Sequence, residues 1–231
     1  MIAYMESDPY LMDAKRDPQT GTFQYIVGEI KEIPPAFSLI SSDVLSNLRS
    51  TLDHLAYQLV IASGNQPDRR TAFPIFNTAE EYKTNSARKV KLMTQTRQDA
   101  IMATKPYKGG NDLLWRLSML DAISKHRLLV TIGVTLGGID AFAHFARIGL
   151  MPTEFIDRTR NFRWKYVERK PLKVGDVLFH SPSDQVDEDM EITAEIAFYE
   201  SRICECEPII ETLHSMADLV SNILSDFETL L

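Results

Sequence analysis

Apolar and polar positions alternate with a period of two at the start of the chain and switch to a period near 3.6 from Leu39 onward. The segments "YLMDAK" and "TFQYIVGEIKEI" flank "RDPQTG", whose Pro18 and Gly21 supply turn chemistry, so residues 1–35 read as a β-hairpin that "IPPAF" brings to an end. Leu45, Leu48, Leu52, Leu55 and Leu59 then recur at steps of three and four until Gly64, the signature of a long amphipathic helix. From Asn65 to Gly110 the pattern is mixed: a polar loop "GNQPDRR", an apolar "AFPIF", and two short helices around Glu80–Leu92 and Thr94–Thr104. Asn111 is placed to cap a further helix, "DLLWRLSMLDAISKHRLL", with Leu113, Leu117 and Leu120 on one face and Trp115, Met119 and Ala122 opposite. After Arg127 the β-branched density rises in "LLVTIGVTL", and "FAHFARIGL", "FRWKYVER", "DVLFH" and "MEITAEIAFYE" read as four further strands. Pro208 opens a last helix with a broad apolar stripe from Ile209 to Phe227.

These elements predict an α+β fold. An antiparallel sheet would combine the hairpin with strands of the second half, because an isolated hairpin is only marginally stable. On that reading 1–231 is a single domain: hairpin 1–35, helical part 38–128, strand-rich part 129–200 and last helix 207–231. The two leucine-striped helices are expected to pack together, bringing Leu48, Leu52 or Leu55 against Leu113, Leu117 or Leu120.

Composition narrows the class of partner. The chain has 231 residues, 44% hydrophobic and 25% charged, with a net charge of −7. That is a globular composition, and the negative balance argues against broad binding to duplex DNA or an anionic membrane, while a local basic cleft stays compatible with it. No apolar run reaches membrane-spanning length, and "MIAYMESDPY" lacks the charged-then-apolar pattern of a secretory leader. The two cysteines, Cys204 and Cys206, are too close for an easy disulfide and too few for a closed zinc site, which points to a reducing, cytoplasmic setting. No pattern calls for a metal or a cofactor: "TIGVTLGG" lacks the spacing of a dinucleotide or phosphate loop, and His144, His180 and His214 have no second ligand at metal spacing.

The chemistry-bearing stretch is "SDVLSNLRSTLDHLAYQLV". At about 100° per residue, Arg49 and Asp53 lie about 40° apart, while His54 sits about 140° from Arg49 on a polar face with Asn47, Ser50 and Tyr57. An Arg followed after four to six residues by a His on one helix of a helical core resembles the motif of HEPN domains, many of which are metal-independent ribonucleases. The resemblance implies catalytic roles for Arg49 and His54, an RNA substrate, and a homodimer whose protomers each contribute to the site. It implies Arg49 holding phosphate oxygens and His54 transferring a proton to or from the 2′-hydroxyl. Asn47, Ser50 and Asp53 would line the binding groove. A second resemblance covers Ser42 to the carboxyl end: "NLRSTLDHLAYQLV", "FPIF", "KPY", "LLWRL" and "SKHRLL" look like a widespread bacterial family of unassigned function.

"DAISKHR" admits two readings. Asp121 and Lys125 form an i,i+4 pair and the basic residues suit the helix dipole; alternatively Lys125, His126 and Arg127 are delivered to the groove holding His54. The strand "FRWKYVER" alternates Trp164 and Tyr166 with Arg163 and Lys165, which suits either single-stranded nucleic acid or a half-buried hairpin. Two functions are therefore carried forward: a HEPN-like ribonuclease, and a non-catalytic binding module in which these residues form a buried polar network.

Overall fold

A computed structural model describes residues 2–7, 9–127, 130–152 and 170–231. The expected strand at 162–169, with Trp164 and Tyr166, lies outside the described residues. The fold is α+β. Two compact units interleave along the chain, one formed by Met1–Phe37, Ile132–Tyr199 and Glu205–Pro208, the other by Ser38–Thr131, Glu200–Cys204 and Ile209–Leu231.

The first unit opens with a single helical turn, α1 (Ile2–Met5), followed by the expected hairpin of β1 (Tyr10–Arg16) and β2 (Phe23–Ile30). Its turn closes through Asp17, whose backbone N–H donates to Thr22 O at 2.8 Å while its carboxylate accepts from the N–H of Gln19. The hairpin recruits a strand from the second half of the chain: β4 (Val177–His180) pairs antiparallel to β2, with Tyr25 opposite Phe179. The remaining strands do not join this sheet. β3 (Ile132–Ile139) pairs antiparallel to β5 (Ile192–Glu200), and β6 (Cys204–Pro208) follows in a second three-stranded sheet ordered β3-β5-β6. The single sheet expected from the sequence is thus two. Val27, Leu178, Val134 and Ala194, one from each of β2, β4, β3 and β5, bury one another in a common core with Leu172. Apolar faces of two small sheets covering each other satisfy the same demand for burial that one wider sheet would.

One expected strand is a helix. "FAHFARIGL" forms α7 (Ala141–Arg147), because Asp140 caps it, its carboxylate accepting from the N–H of Ala143 at 3.0 Å. Ala141, Ala143 and Ala146 are buried and small enough for close packing, and Gly149, at φ 78°, ends the segment. β6 had no counterpart in the sequence reading. Its alternation places Cys204 and Cys206 on one buried face, which accounts for the Cys-x-Cys spacing.

In the second unit α2 (Pro35–Ala62) begins with proline at its first position and ends at Gly64, whose φ of 76° lets the chain turn away. Leu45, Leu52, Leu55 and Leu59 are buried, as the heptad-like spacing predicts. Then come α3 (Ala79–Asn85), capped by Thr78, α4 (Ala87–Val90), α5 (Gln95–Ala103) and α6 (Asp112–Arg127). Asn111 caps α6 as expected, accepting from the N–H of Leu114 at 3.0 Å. The deepest face of α6 carries Leu114, Leu117, Leu120, Asp121 and Ser124, so the apolar stripe is rotated one residue from the expected Leu113, which is half-buried. α2 and α6 are joined by a bond from Ser46 Oγ to Asp121 Oδ1 at 2.8 Å. The last helix, α8 (Ile209–Phe227), buries Ile209, Met216, Val220, Ile223 and Phe227 and packs on α6. No helix among the described residues is long and apolar enough to cross a membrane.

Candidate functional site: a cationic pocket beside the Arg49 clamp

Arg49 is 8% exposed and bonded through both terminal nitrogens. Its Nη1 donates to Asp53 Oδ1 at 2.6 Å and its Nη2 to the carbonyl of Phe73 at 3.0 Å. Asp53 Oδ1 in turn accepts the backbone N–H of Phe73 at 2.9 Å. An Arg–Asp pair one turn apart on α2 therefore grips both backbone groups of one fully buried residue in the following loop. This local pairing is what the i,i+4 spacing allows; its target, Phe73, is a tertiary contact no spacing reveals.

His54 stands apart from this clamp. It is exposed, as are Asn47 and Ser50, on the solvent face of α2 with Tyr57, and it makes no hydrogen bond or ion pair among the described residues. Arg49 is thus buried and His54 exposed, about 140° apart around α2. Lys125 donates to Asp121 at 2.7 Å, the local pair expected at the end of α6, and His126 is exposed. The side chain of Arg127 lies outside the described residues. Because Asp121 meets α2 at Ser46, eight residues and about 12 Å along the helix axis from His54, the Lys125 cluster joins a different part of α2.

What the clamp positions is a pocket of about 860 Å³, lined by Arg69, Arg70, Ala72, Phe76, Asn85, Arg88 and Lys89. One wall is the loop that Arg49 and Asp53 pin at Phe73. Within it Asp68 accepts the N–H of Arg70 at 2.8 Å, a turn that sets Arg69 and Arg70 side by side. The other wall is the end of α3 and the single turn of α4. Lys89 Nζ lies 5.0 Å from the centre of the Phe76 ring, whose edge packs on Tyr82. Burial, and then the charge of Arg49 behind it, hold the Lys89 amine below the ordinary lysine value, with Asp53 pulling the other way. Among the described residues the side chains of Arg69, Arg70, Arg88 and Lys89 form no salt bridge, and none of the lining residues is acidic. Four cations thus line one pocket in a chain of net charge −7, with Asp68 near Arg70 and Asp53 near Lys89 as the acidic groups that act on them. The sequence reading put Arg69 and Arg70 in a polar loop and Arg88 and Lys89 in a short helix and drew no site from them; the adjacent pairs Arg69–Arg70 and Arg88–Lys89 were the available signal, but only the fold brings the pairs together.

The first unit holds a different constellation. His144 Nδ1 lies 2.8 Å from Asp187 Oδ2 and its Nε2 2.9 Å from Ser181 Oγ, the atom order of a serine nucleophile, base and orienting acid. Its surroundings serve structure instead. His144 is fully buried among Tyr25, Phe145 and Phe179, and Ser181 is 2% exposed and already accepts the N–H of Ser183. Arg147 Nε donates to both oxygens of Asp187, at 3.0 and 2.9 Å, and Tyr25 exchanges two bonds with the Asp187 backbone. Burial would raise the Asp187 pKa, but the bonds from His144 and Arg147 outweigh it and hold the carboxyl below its ordinary value. A nucleophile with no approach for substrate and every polar atom bonded is a lock between α7, β2, β4 and the loop before β5. His144 is structural, as the sequence reading had it, although in a helix and not a strand.

No protein-family model, no curated protein and no solved structure matches this chain.

Proposed function

We propose that this protein is a binding module for a small anion with several acceptor oxygens, such as a phosphate ester, held by Arg69, Arg70, Arg88 and Lys89. The observation that carries the reading is the convergence of these four cationic side chains, none in a salt bridge among the described residues, on one pocket with no acidic lining residue. Guanidinium groups match tetrahedral oxyanions by paired N–H donors, and of the four cations Lys89 is half-buried, while Arg69, Arg70 and Arg88 are exposed. A bound anion would also relieve the mutual repulsion of Lys89 and its neighbours. Arg49 supports the pocket from behind as part of its scaffold. The burial of Arg49 and its bonds to Asp53 and Phe73 favour a scaffolding role for it over one in a HEPN-like ribonuclease.

Calorimetric titration with inorganic pyrophosphate tests the proposal. Saturable binding that weakens on going from Arg69→Ala or Arg88→Ala, and as salt is raised, is the expected result. Absence of binding at low salt would overturn it. The ribonuclease alternative is decided by incubating the chain with mixed RNA in a metal chelator: cyclic-phosphate products lost in His54→Ala would establish it in place of the binding module.

A further inference from the structure

Lys89 differs in chemistry from the arginines around it. A guanidinium stays charged and inert, whereas an amine in its neutral form attacks carbonyl carbon. Lys89 lines the cavity, is half-buried, and forms no salt bridge among the described residues. Lys91 on the same stretch sits 3.7 Å from Asp68, and Lys125 is paired with Asp121. Phe76 supplies an apolar wall beside the amine, and Arg69, Arg70 and Arg88 surround it with donors for an anionic group.

We infer that the pocket captures a small aldehyde or ketone carrying an anionic group, with Lys89 Nζ as the nucleophile that forms a reversible imine, an inference that rests on the anion-binding reading above. The arginines hold the anion and present the carbonyl to the amine. The amine lone pair forms a C–N bond, the C–O bond breaks, and the carbonyl oxygen departs as water with both amine protons, so no oxidant or reductant is consumed. The lowered Lys89 pKa acts in the same direction, since a larger share of the amine is neutral and nucleophilic near pH 7. Burial first, and then the charge of Arg49, disfavour the ammonium form, while Asp53 and the Phe76 face oppose that trend.

The test treats the full chain with glyceraldehyde 3-phosphate or with uncharged glyceraldehyde, traps imines with borohydride, and maps adducts by peptide mass spectrometry. With the phosphorylated aldehyde, labelling at Lys89 should exceed that at exposed Lys83 by at least about tenfold, because a docked phosphate raises the local concentration of the carbonyl. Inorganic pyrophosphate should suppress that labelling, Arg69→Ala and Arg88→Ala should each reduce it, and glyceraldehyde should show no preference. If pyrophosphate binds the wild type but adducts spread evenly over the lysines, the imine inference falls and the anion pocket stands. If pyrophosphate does not bind and labelling is unselective, both fall.

Discussion

Arg49 and His54 sit on one helix but belong to different kinds of residue. Removing the Arg49 side chain leaves the Phe73 carbonyl and the Asp53 carboxylate without their donor, so Arg49→Ala should lower unfolding stability by about 1–3 kcal/mol in chemical denaturation. It should also weaken pyrophosphate binding, because the loop carrying Arg69 and Arg70 loses its anchor. His54→Ala, on the exposed face, should change stability by less than about 0.5 kcal/mol. Equal losses for the two variants would contradict the division of roles. Asp187 offers a second residue-scale measurement. Asp187→Asn replaces a charged acceptor of Arg147 and His144, and by the precedent of broken buried pairs it should cost about 3 kcal/mol near neutral pH. Its folded pKa lies below the unfolded value of 3.8, so the stabilisation is fully present above about pH 4 and is lost as pH falls through the folded value. The gap in denaturation midpoint between wild type and Asp187→Asn should therefore narrow only below pH 3.8. A gap that narrows instead between pH 6 and 8 would place the coupled titration elsewhere.

At the scale of elements, short helices depend on their ends more than on their interiors. α7 has seven residues, too few to be stable through propensity, and its start rests on the Asp140 carboxylate. Asp140→Ala should cost about 1 kcal/mol, measurable by thermal or chemical denaturation, while Asp140→Asn, which keeps a capping oxygen, should cost less. α2 shows the opposite case. Its 28 residues are framed by Pro35 and Gly64 and carry a buried leucine face, so a single exposed substitution leaves it intact. That rigidity is what lets Arg49 and Asp53 act as a fixed point for a loop that has no regular structure of its own.

At the scale of the whole molecule, an acidic chain carries one strongly basic cavity. Long-range repulsion from a net charge of −7 opposes an approaching anion, and the pocket cations oppose that repulsion at short range. Because the Debye length falls from about 30 Å at 0.01 M salt to about 8 Å at physiological strength, moderate salt should screen the distant negative charge more than the short-range contacts inside the pocket. Pyrophosphate affinity should therefore fall less steeply with salt than for an exposed polybasic surface of similar charge. An equally steep fall would mean that the lining cations act as an open surface patch.

Much of the fold was legible along the chain because its signals are local. A period of two around a turn predicts the hairpin, leucines at steps of three and four predict α2, and Asn111 and Pro208 mark where α6 and α8 begin. The same locality explains the Arg49–Asp53 pair, which helix geometry imposes wherever those residues stand four apart. That "FAHFARIGL" is helical was a local matter too, since the Asp140 cap outweighs an ambiguous apolar pattern. Tertiary structure decided what period and spacing do not encode. It decided that the strands divide into two sheets, since that depends on which apolar faces meet. It brought Ser181, His144 and Asp187 into one buried lock from α7, the end of β4 and the loop beyond it. It also gathered Arg69, Arg70, Arg88 and Lys89 around one cavity, because charges on a loop and on a separate helical turn acquire a common field only when packing sets the distances between them.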